Sequence, residues 1–372
     1  MRSKLLNLPV LSASPLPPLY AGWIDGFLAG PIPPETDATC DSCAMLPEAG
    51  QETNDKYFNA ETKCCTYLPS LYNFLVGRAL LDSDPTMAKG RATVESRVGS
   101  GLGISPLGLM PTPAYLLLYD QTTNAFGHAK ALRCPHYLTE AGGRCGVWKN
   151  RESTCVTWFC KTTRGLTGKA FWRALHELLM WVEKSLAVWC VTQLTVDTDT
   201  LFAVLNVNRK VNPTARELDN QPDTERQRRI WGRWHGRETE FYQECGRLVS
   251  DLRWPDIERI CGPELAIHTR LTRQAYQKLV AEDVPARLQA AMFQISVEKN
   301  SYVVNVSGYD AMRVSPSVLK VLPYFDGRPT GEIVEDIIAQ ENLRALPSLL
   351  RKLTDFGLLV EVEEANNRPA TG

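Results

Sequence analysis

Cysteine spacing constrains this chain more than any other feature. Eleven cysteines occur in 372 residues, and eight of them fall into two groups. The first is Cys40-x2-Cys43 followed, after a 20-residue gap, by the adjacent pair Cys64–Cys65. The second is Cys134, Cys145, Cys155 and Cys160. An odd count in a long chain argues against a disulfide framework, which belongs to short secreted sequences. Arg2 and Lys4 resemble a charged export start, but Pro9, Pro15, Pro17 and Pro18 break the apolar stretch behind them. The expectation is a cytoplasmic protein with reduced thiols. Thiolates are the natural ligands of zinc and of iron–sulfur clusters, and four close a tetrahedral site. A C-x2-C turn brings two sulfurs to one ion. Adjacent cysteines point apart, so Cys64 and Cys65 suit two metals or two irons of one cluster. The predicted ligands are therefore Cys40, Cys43, Cys64, Cys65, Cys134, Cys145, Cys155 and Cys160, with an iron–sulfur cluster preferred over zinc because one structural zinc needs only four. Cys190, Cys245 and Cys261 lie outside these groups and are assigned to core packing.

The rest of the composition narrows the partners. A net charge of -1 offers no general attraction for nucleic acid or an anionic membrane, and no apolar run is long enough to span a bilayer. Helical spacing appears at Leu71, Leu75 and Leu80, and strongly at Phe171, Leu175, Leu178, Val182, Leu186 and Trp189. Further helices are predicted over 224–252 and 263–282. Residues 91–113, rich in Gly, Ser and Pro, read as a mobile loop. Residues 114–120 read as a strand, and 193–222 as a polar excursion. From Met292 the pattern changes: two short strands, three short helices and a closing strand over 358–362. Thr330 is the expected N-cap of the second of these helices, and Gly357 the expected terminator of the third. The fold class is α+β: a Pro-rich segment 1–39, a cysteine-rich metal-binding region 40–165, helices over 166–290, a winged helix over 291–362 and a polar tail 363–372.

Two stretches resemble known families. CPHYLTEAGGRCGVWKNRESTC is similar to the second half of the YkgJ-type cysteine-cluster proteins, described as zinc- or iron-chelating. Cys134, Leu138, Gly142-Gly143, Cys145, Trp148, Arg151 and Cys155 carry the likeness. It covers about residues 40–165. The insert between Cys43 and Cys64 departs from the family pattern, as does Glu152 where a proline usually follows the arginine. The C-terminal stretch resembles the PqqD-like winged helix through Val318-Leu319, Phe325-Asp326-Gly327, Thr330–Ile338 and Leu349–Leu359. That resemblance implies a leader-peptide partner added to a sheet edge. Arg344, Arg351 and Lys352 are few cations for a DNA reader.

Other residues carry less. His128 and His136 flank Cys134 and are candidate ligands or acid–base groups, and His176 is a candidate neighbour of the metal. Arg226, Arg229, Arg233 and Arg237 form a basic ridge, but Glu240 and Glu244 continue it as a mixed-charge face. No nucleotide fingerprint, P-loop, HExxH or nucleophile elbow is present. Gly99–Gly103 (GSGLG) is a weak phosphate loop. Three functions follow: a metal-bearing redox or modifying enzyme acting on a peptide or protein, a non-enzymatic zinc-stabilised binding or assembly module, and a metal-storage or delivery protein.

Overall fold

The computed structural model describes residues 15–33, 43–46, 58–195, 197–205, 215–292, 295–298, 301–307, 310–342 and 347–362. Residues 1–14 and 34–39 of the Pro-rich segment, Cys40, Arg344 and the polar tail lie outside them. Helices and small antiparallel sheets are mixed throughout, as an α+β chain requires. Two compact units divide it: Met1–Trp158 with Leu175–Arg270, and Phe159–Ala174 with Leu271–Gly372.

The first unit holds α1 (Pro18–Ile24), α2 (Asn73–Leu81), α3 (Ala88–Ser100), α4 (Pro113–Gln121), α5 (Ser153–Thr157), most of α6 (Gly165–Leu194), α7 (Thr198–Leu205), α8 (Ala215–Leu218), α9 (Thr224–Trp231), α10 (Glu238–Ser250), α11 (Trp254–Cys261) and the start of α12 (Leu265–Val280). Its strands are β1 (Leu71–Tyr72), β2 (Ile104–Ser105) and β3 (Gly108–Leu109), which pair in the order β1-β3-β2, and the hairpin β4 (Tyr137–Leu138) with β5 (Arg144–Cys145). The apolar face read for α6 is the face that packs. Leu175, Leu178, Val182 and Leu186 are fully buried. Trp231 meets Phe241 and Tyr242 edge to face at 5.5 and 5.6 Å. Helices α2 and α10 cross at Gly77 and Gly246. A Cβ at Gly77 would stand 1.7 Å from the Tyr242 carbonyl oxygen, so only glycine permits this approach. Cys190, Cys245 and Cys261 are buried in this core.

Four expectations are corrected here. Residues 91–113 are not a loop. Val94 and Val98, four apart, are buried on α3, and Gly101 at φ +68 ends the helix in the left-handed conformation. The GSGLG run is thus a helix C-terminus and a turn into β2, the wrong helix end for phosphate. Residues 114–120 are helix α4, because Thr112 accepts from the Tyr115 amide at 3.3 Å and Pro113 occupies the first turn. The helix read over 224–252 breaks between Trp231 and Glu238, where Gly232 and Gly236 take φ +49 and +83. The excursion 193–222 contains α7 and α8.

In the second unit, β6 (Arg287–Ala290) is followed by β7 (Ile295–Glu298), β8 (Ser301–Ser307) and β9 (Asp310–Val314), then α13 (Pro316–Val321), β10 (Asp326–Pro329), α14 (Thr330–Glu341), α15 (Pro347–Asp355) and β11 (Leu359–Glu361). Strand β6 is central in the sheet β10-β6-β11, and β7-β8-β9 form a separate antiparallel sheet. Leu288, Phe325, Ile333, Ile337, Leu353 and Leu359 lead its core. Gly357 ends α15 as expected: its amide reaches the Thr354 carbonyl at 2.9 Å, and that of Leu358 reaches Leu353 at 2.8 Å. Thr330 is not a cap. It is the first helical residue, and its hydroxyl and amide bond the Pro285 and Ala286 carbonyls, each at 2.8 Å.

Candidate metal centre

The cysteine-bearing segments of the first unit are joined by backbone bonds. The loop before Cys64 turns on Asn59, whose carbonyl accepts from the Thr62 and Lys63 amides at 3.2 and 2.8 Å. The Cys134 amide then donates to the Cys65 carbonyl at 2.7 Å, tying the first group to the second. Tyr115 steadies the same loop. Its hydroxyl donates to the Thr66 carbonyl and accepts from the Leu68 amide, both at 2.8 Å. From Cys134 the chain enters the β4–β5 hairpin, where Tyr137 pairs with Cys145, and the Gly146 amide closes on the His136 carbonyl at 2.7 Å. Cys155 lies on α5, which Glu152 caps by accepting from the Cys155 and Thr154 amides at 2.7 and 2.8 Å. Glu152, where the resembled family has proline, therefore starts the helix that carries a predicted ligand.

These bonds bring Cys64, Cys65, Cys134, Cys145 and Cys155 within electrostatic reach of one another, and Cys43 stands within reach of Cys64. None of the six is buried, and Cys64 is exposed. Cys64 accepts a hydrogen bond from the Cys65 thiol, which draws its pKa down to about 7, and the charges of Arg151 and Lys63 act in the same direction. As the donor of that bond, Cys65 is pushed well above the ordinary thiol range. Although each keeps some surface exposure, partial desolvation pushes Cys134 up to about 11 and raises Cys43 and Cys155. Of the remaining predicted ligands, Cys40 lies outside the described residues and Cys160 belongs to the second unit.

The donor set is dominated by sulfur, with the Glu152 carboxyl also within electrostatic reach of Cys134 and Cys155. Among the described residues, however, no three His, Cys, Asp or Glu side chains close into a ready coordination set. The sulfurs are gathered rather than locked. Metal–thiolate bonds are strong enough to draw such loops closed, because metal binding and local folding are coupled.

The histidines separate. His136 is buried, with Nδ1 2.8 Å from the Thr93 hydroxyl and Nε2 3.4 Å from Arg97 Nη1. Thr93 donates to the Gly90 carbonyl at 2.6 Å, so it accepts from an Nδ1–H and leaves Nε2 facing a guanidinium. Burial, then the Arg97 charge, draws the His136 pKa down to about 3. With both ring nitrogens engaged, His136 anchors the knuckle to α3. His176 meets the Thr154 hydroxyl at 3.3 Å, beside Cys155 in sequence, and His128 is half-buried in the turn after Ala125.

Two cations and one carboxyl were not legible as site residues. Lys63 is buried and donates to the Gly142 and Gly143 carbonyls at 2.8 and 2.9 Å. Arg151, present in the sequence pattern without a role, stacks 3.4 Å over Trp148 and donates to the Cys155 carbonyl at 3.0 Å. Glu183, fully buried on α6, accepts from the Ser153 amide and hydroxyl at 2.7 and 2.6 Å and from the Tyr20 hydroxyl. A lysine directly before a CC pair is the one sequence signal that pointed here.

Half of the basic ridge is paired, and Arg233 donates to the Leu194 carbonyl. Arg226 meets Glu217, and Arg237 meets Glu240 at 2.9 Å. No described helix is long and apolar enough to cross a membrane. Comparison with protein-family models, with curated proteins and with solved structures gives no match.

Proposed function

We propose that this chain is a cytoplasmic, cysteine-ligated metal protein of the YkgJ-like kind, its ligands drawn from Cys40, Cys43, Cys64, Cys65, Cys134, Cys145, Cys155 and Cys160. One observation carries the reading: six cysteines, far apart in sequence, gather on an accessible face of one unit. In the core, Cys190 meets the Cys245 carbonyl at 3.9 Å and Cys261 stands apart, so core packing pairs at most two cysteines, whereas six partly or fully exposed ones collect here. More sulfurs than one zinc needs, and an adjacent CC pair, favour an iron–sulfur cluster. Such a cluster supplies one-electron transfer; zinc in an all-thiolate set supplies closure. The zinc reading is favoured by the β4–β5 hairpin, which carries Cys145 and starts three residues after Cys134.

A redox or modifying reaction on a peptide or protein follows from joining this centre to a winged-helix-like C-terminal region. There Arg351 donates to the Asp283 and Lys278 carbonyls at 2.7 and 2.8 Å, so it is not offered to a phosphate backbone. That supports a peptide over duplex DNA.

The test is anaerobic purification followed by iron, sulfide and zinc analysis. A brown protein with iron and sulfide supports the cluster; a colourless one with zinc supports the structural alternative. Cys145→Ser and Cys155→Ser should lose most of the bound metal, and Cys245→Ser should retain it. Equal metal content in all three variants overturns the ligand assignment.

A further inference from the structure

We infer that Lys63 is the clamp and counter-charge of the cysteine centre: it fastens the Cys64–Cys65 loop to the turn before Cys145 and offsets thiolate charge when metal is held. The inference rests on the metal reading above and adds a positioning residue to it.

Three observations converge on Lys63. It is only 3% exposed, and lysine is almost never buried without partners. Its backbone stands at φ +51, a left-handed conformation that a lysine adopts only when its surroundings dictate it. Its ammonium reaches across the fold to two consecutive carbonyls, Gly142 at 2.8 Å and Gly143 at 2.9 Å. Those glycines take φ +81 and +79, and a Cβ at Gly143 would fall 1.8 Å from the Tyr137 hydroxyl oxygen. The turn is therefore shaped for glycine and presents both carbonyls to one cation. Cys145 follows it directly in β5, and Cys64 follows Lys63 directly.

Electrostatics adds the second role. The Lys63 ammonium is fixed on the Gly142 and Gly143 carbonyls, three and two residues before Cys145, and Lys63 adjoins Cys64 in the chain, so its charge stands beside both cysteine groups. Gathering several thiolates around a divalent ion or a cluster leaves a net negative centre, and a nearby ammonium lowers the cost of assembling it. Arg151 is the companion cation, but it is fixed by the Trp148 ring and two carbonyls and does not join the two cysteine groups.

Anaerobic cobalt(II) titration of the full chain tests this, because thiolate-to-cobalt charge-transfer absorption reports both ligand count and affinity. Lys63→Met should weaken cobalt binding about 10- to 100-fold, the range for groups that orient and tune metal ligands, with the thiolate count unchanged. Lys63→Arg, which keeps charge and donors, should restore most of the affinity. Lys63→Gln restores donors without charge and should recover less. Binding by Lys63→Met within about twofold of the native chain overturns the inference and leaves the metal reading standing, since outer groups that matter cost far more. If Lys63→Met fails to fold, the comparison of Lys63→Arg with Lys63→Gln decides: equal affinities overturn the charge role. A native chain showing no thiolate-to-cobalt band overturns the metal reading, and this inference with it.

Discussion

Glu183 shows how a single residue ties the candidate site to the core. Its carboxyl takes hydrogen bonds from Ser153 on α5 and Tyr20 on α1, without a cationic partner among those bonds. Burial, then the charge of Glu152, raises its pKa from 4.5 to about 8, with Tyr20, Ser153 and Glu152 around it. A carboxyl raised in the folded state binds a proton that the unfolded chain has released. Its contribution is complete below pH 4.5 and is lost as pH rises toward 8, at up to about 1.4 kcal/mol per pH unit. Glu183→Gln keeps an acceptor for Tyr20 and the Ser153 amide, and its NH2 can donate to the Ser153 hydroxyl. Denaturant titrations should find it equal to the native chain near pH 4.5 and more stable by a few kcal/mol, on the order of the linkage maximum, near pH 8. A difference that does not change with pH removes the buried carboxyl from the account. Residues of this kind are where the sequence was silent. The cysteines declare themselves by spacing and His136 by its place beside Cys134, whereas Glu183 and Lys63 look like any helix or loop polar residue until burial is known.

At the scale of elements, α3 and α4 are the instructive cases. Most of α3 lies in a Gly-, Ser- and Pro-rich stretch that composition alone reads as loop, and α4 covers a short apolar run read as strand. Two of those residues act in opposite ways from what composition implies. Pro113 starts a helix, since its fixed φ and missing N–H suit a first turn. Gly90 lies inside a helix because the chain after Cys145 crosses it: a Cβ there would stand 1.7 Å from the Gly146 carbonyl oxygen. Gly99 on the same helix is exposed and has nothing within 4 Å of its would-be Cβ. The two glycines therefore predict opposite effects. Gly90→Ala should destabilise by about 1–3 kcal/mol or more through overpacking against backbone, and should reduce bound metal by displacing the Cys145 knuckle. Gly99→Ala should stabilise by roughly 0.5–1 kcal/mol through helix propensity. Thermal melts and metal content of the two variants check this, and a loss of stability in both would show that α3 is not helical there. The long helix α6 needed no such context. Its stripe from Leu175 to Leu186 is periodic enough for tertiary structure to leave it unchanged, whereas contacts between backbones decide α3.

For the whole molecule, the second unit is discontinuous in sequence, and that changes where the chain can be cut. The sequence pattern starts the C-terminal domain at residue 291, where alternation resumes. Strand β6 ends at Ala290, however, and among the described residues it is the strand that both β10 and β11 pair with. It also brings Leu288, fully buried, into the core. Residues just before it hold the helices: the Pro285 and Ala286 carbonyls take Thr330, and those of Asp283 and Lys278 take Arg351. Further upstream, Arg164 pairs with the buried Asp355, Nη2 to Oδ1 at 2.9 Å, and donates to the Ala281 carbonyl. A fragment of residues 291–362 lacks the central strand and every one of these bonds, and should show no cooperative thermal transition. Residues 271–362 keep all but Arg164. That fragment should unfold cooperatively, with Asp355 still held by Arg351 at 3.4 Å. Returning residues 159–174 through a flexible linker should raise its midpoint, because Asp355 then regains the partner whose loss leaves a buried carboxylate half-satisfied, at a cost of about 1–3 kcal/mol. Calorimetry on the three fragments separates these cases. A cooperative transition in residues 291–362 would mean that β10 and β11 find another partner, and that the domain is the one its strand and helix pattern outlines rather than the one its hydrogen bonds enclose.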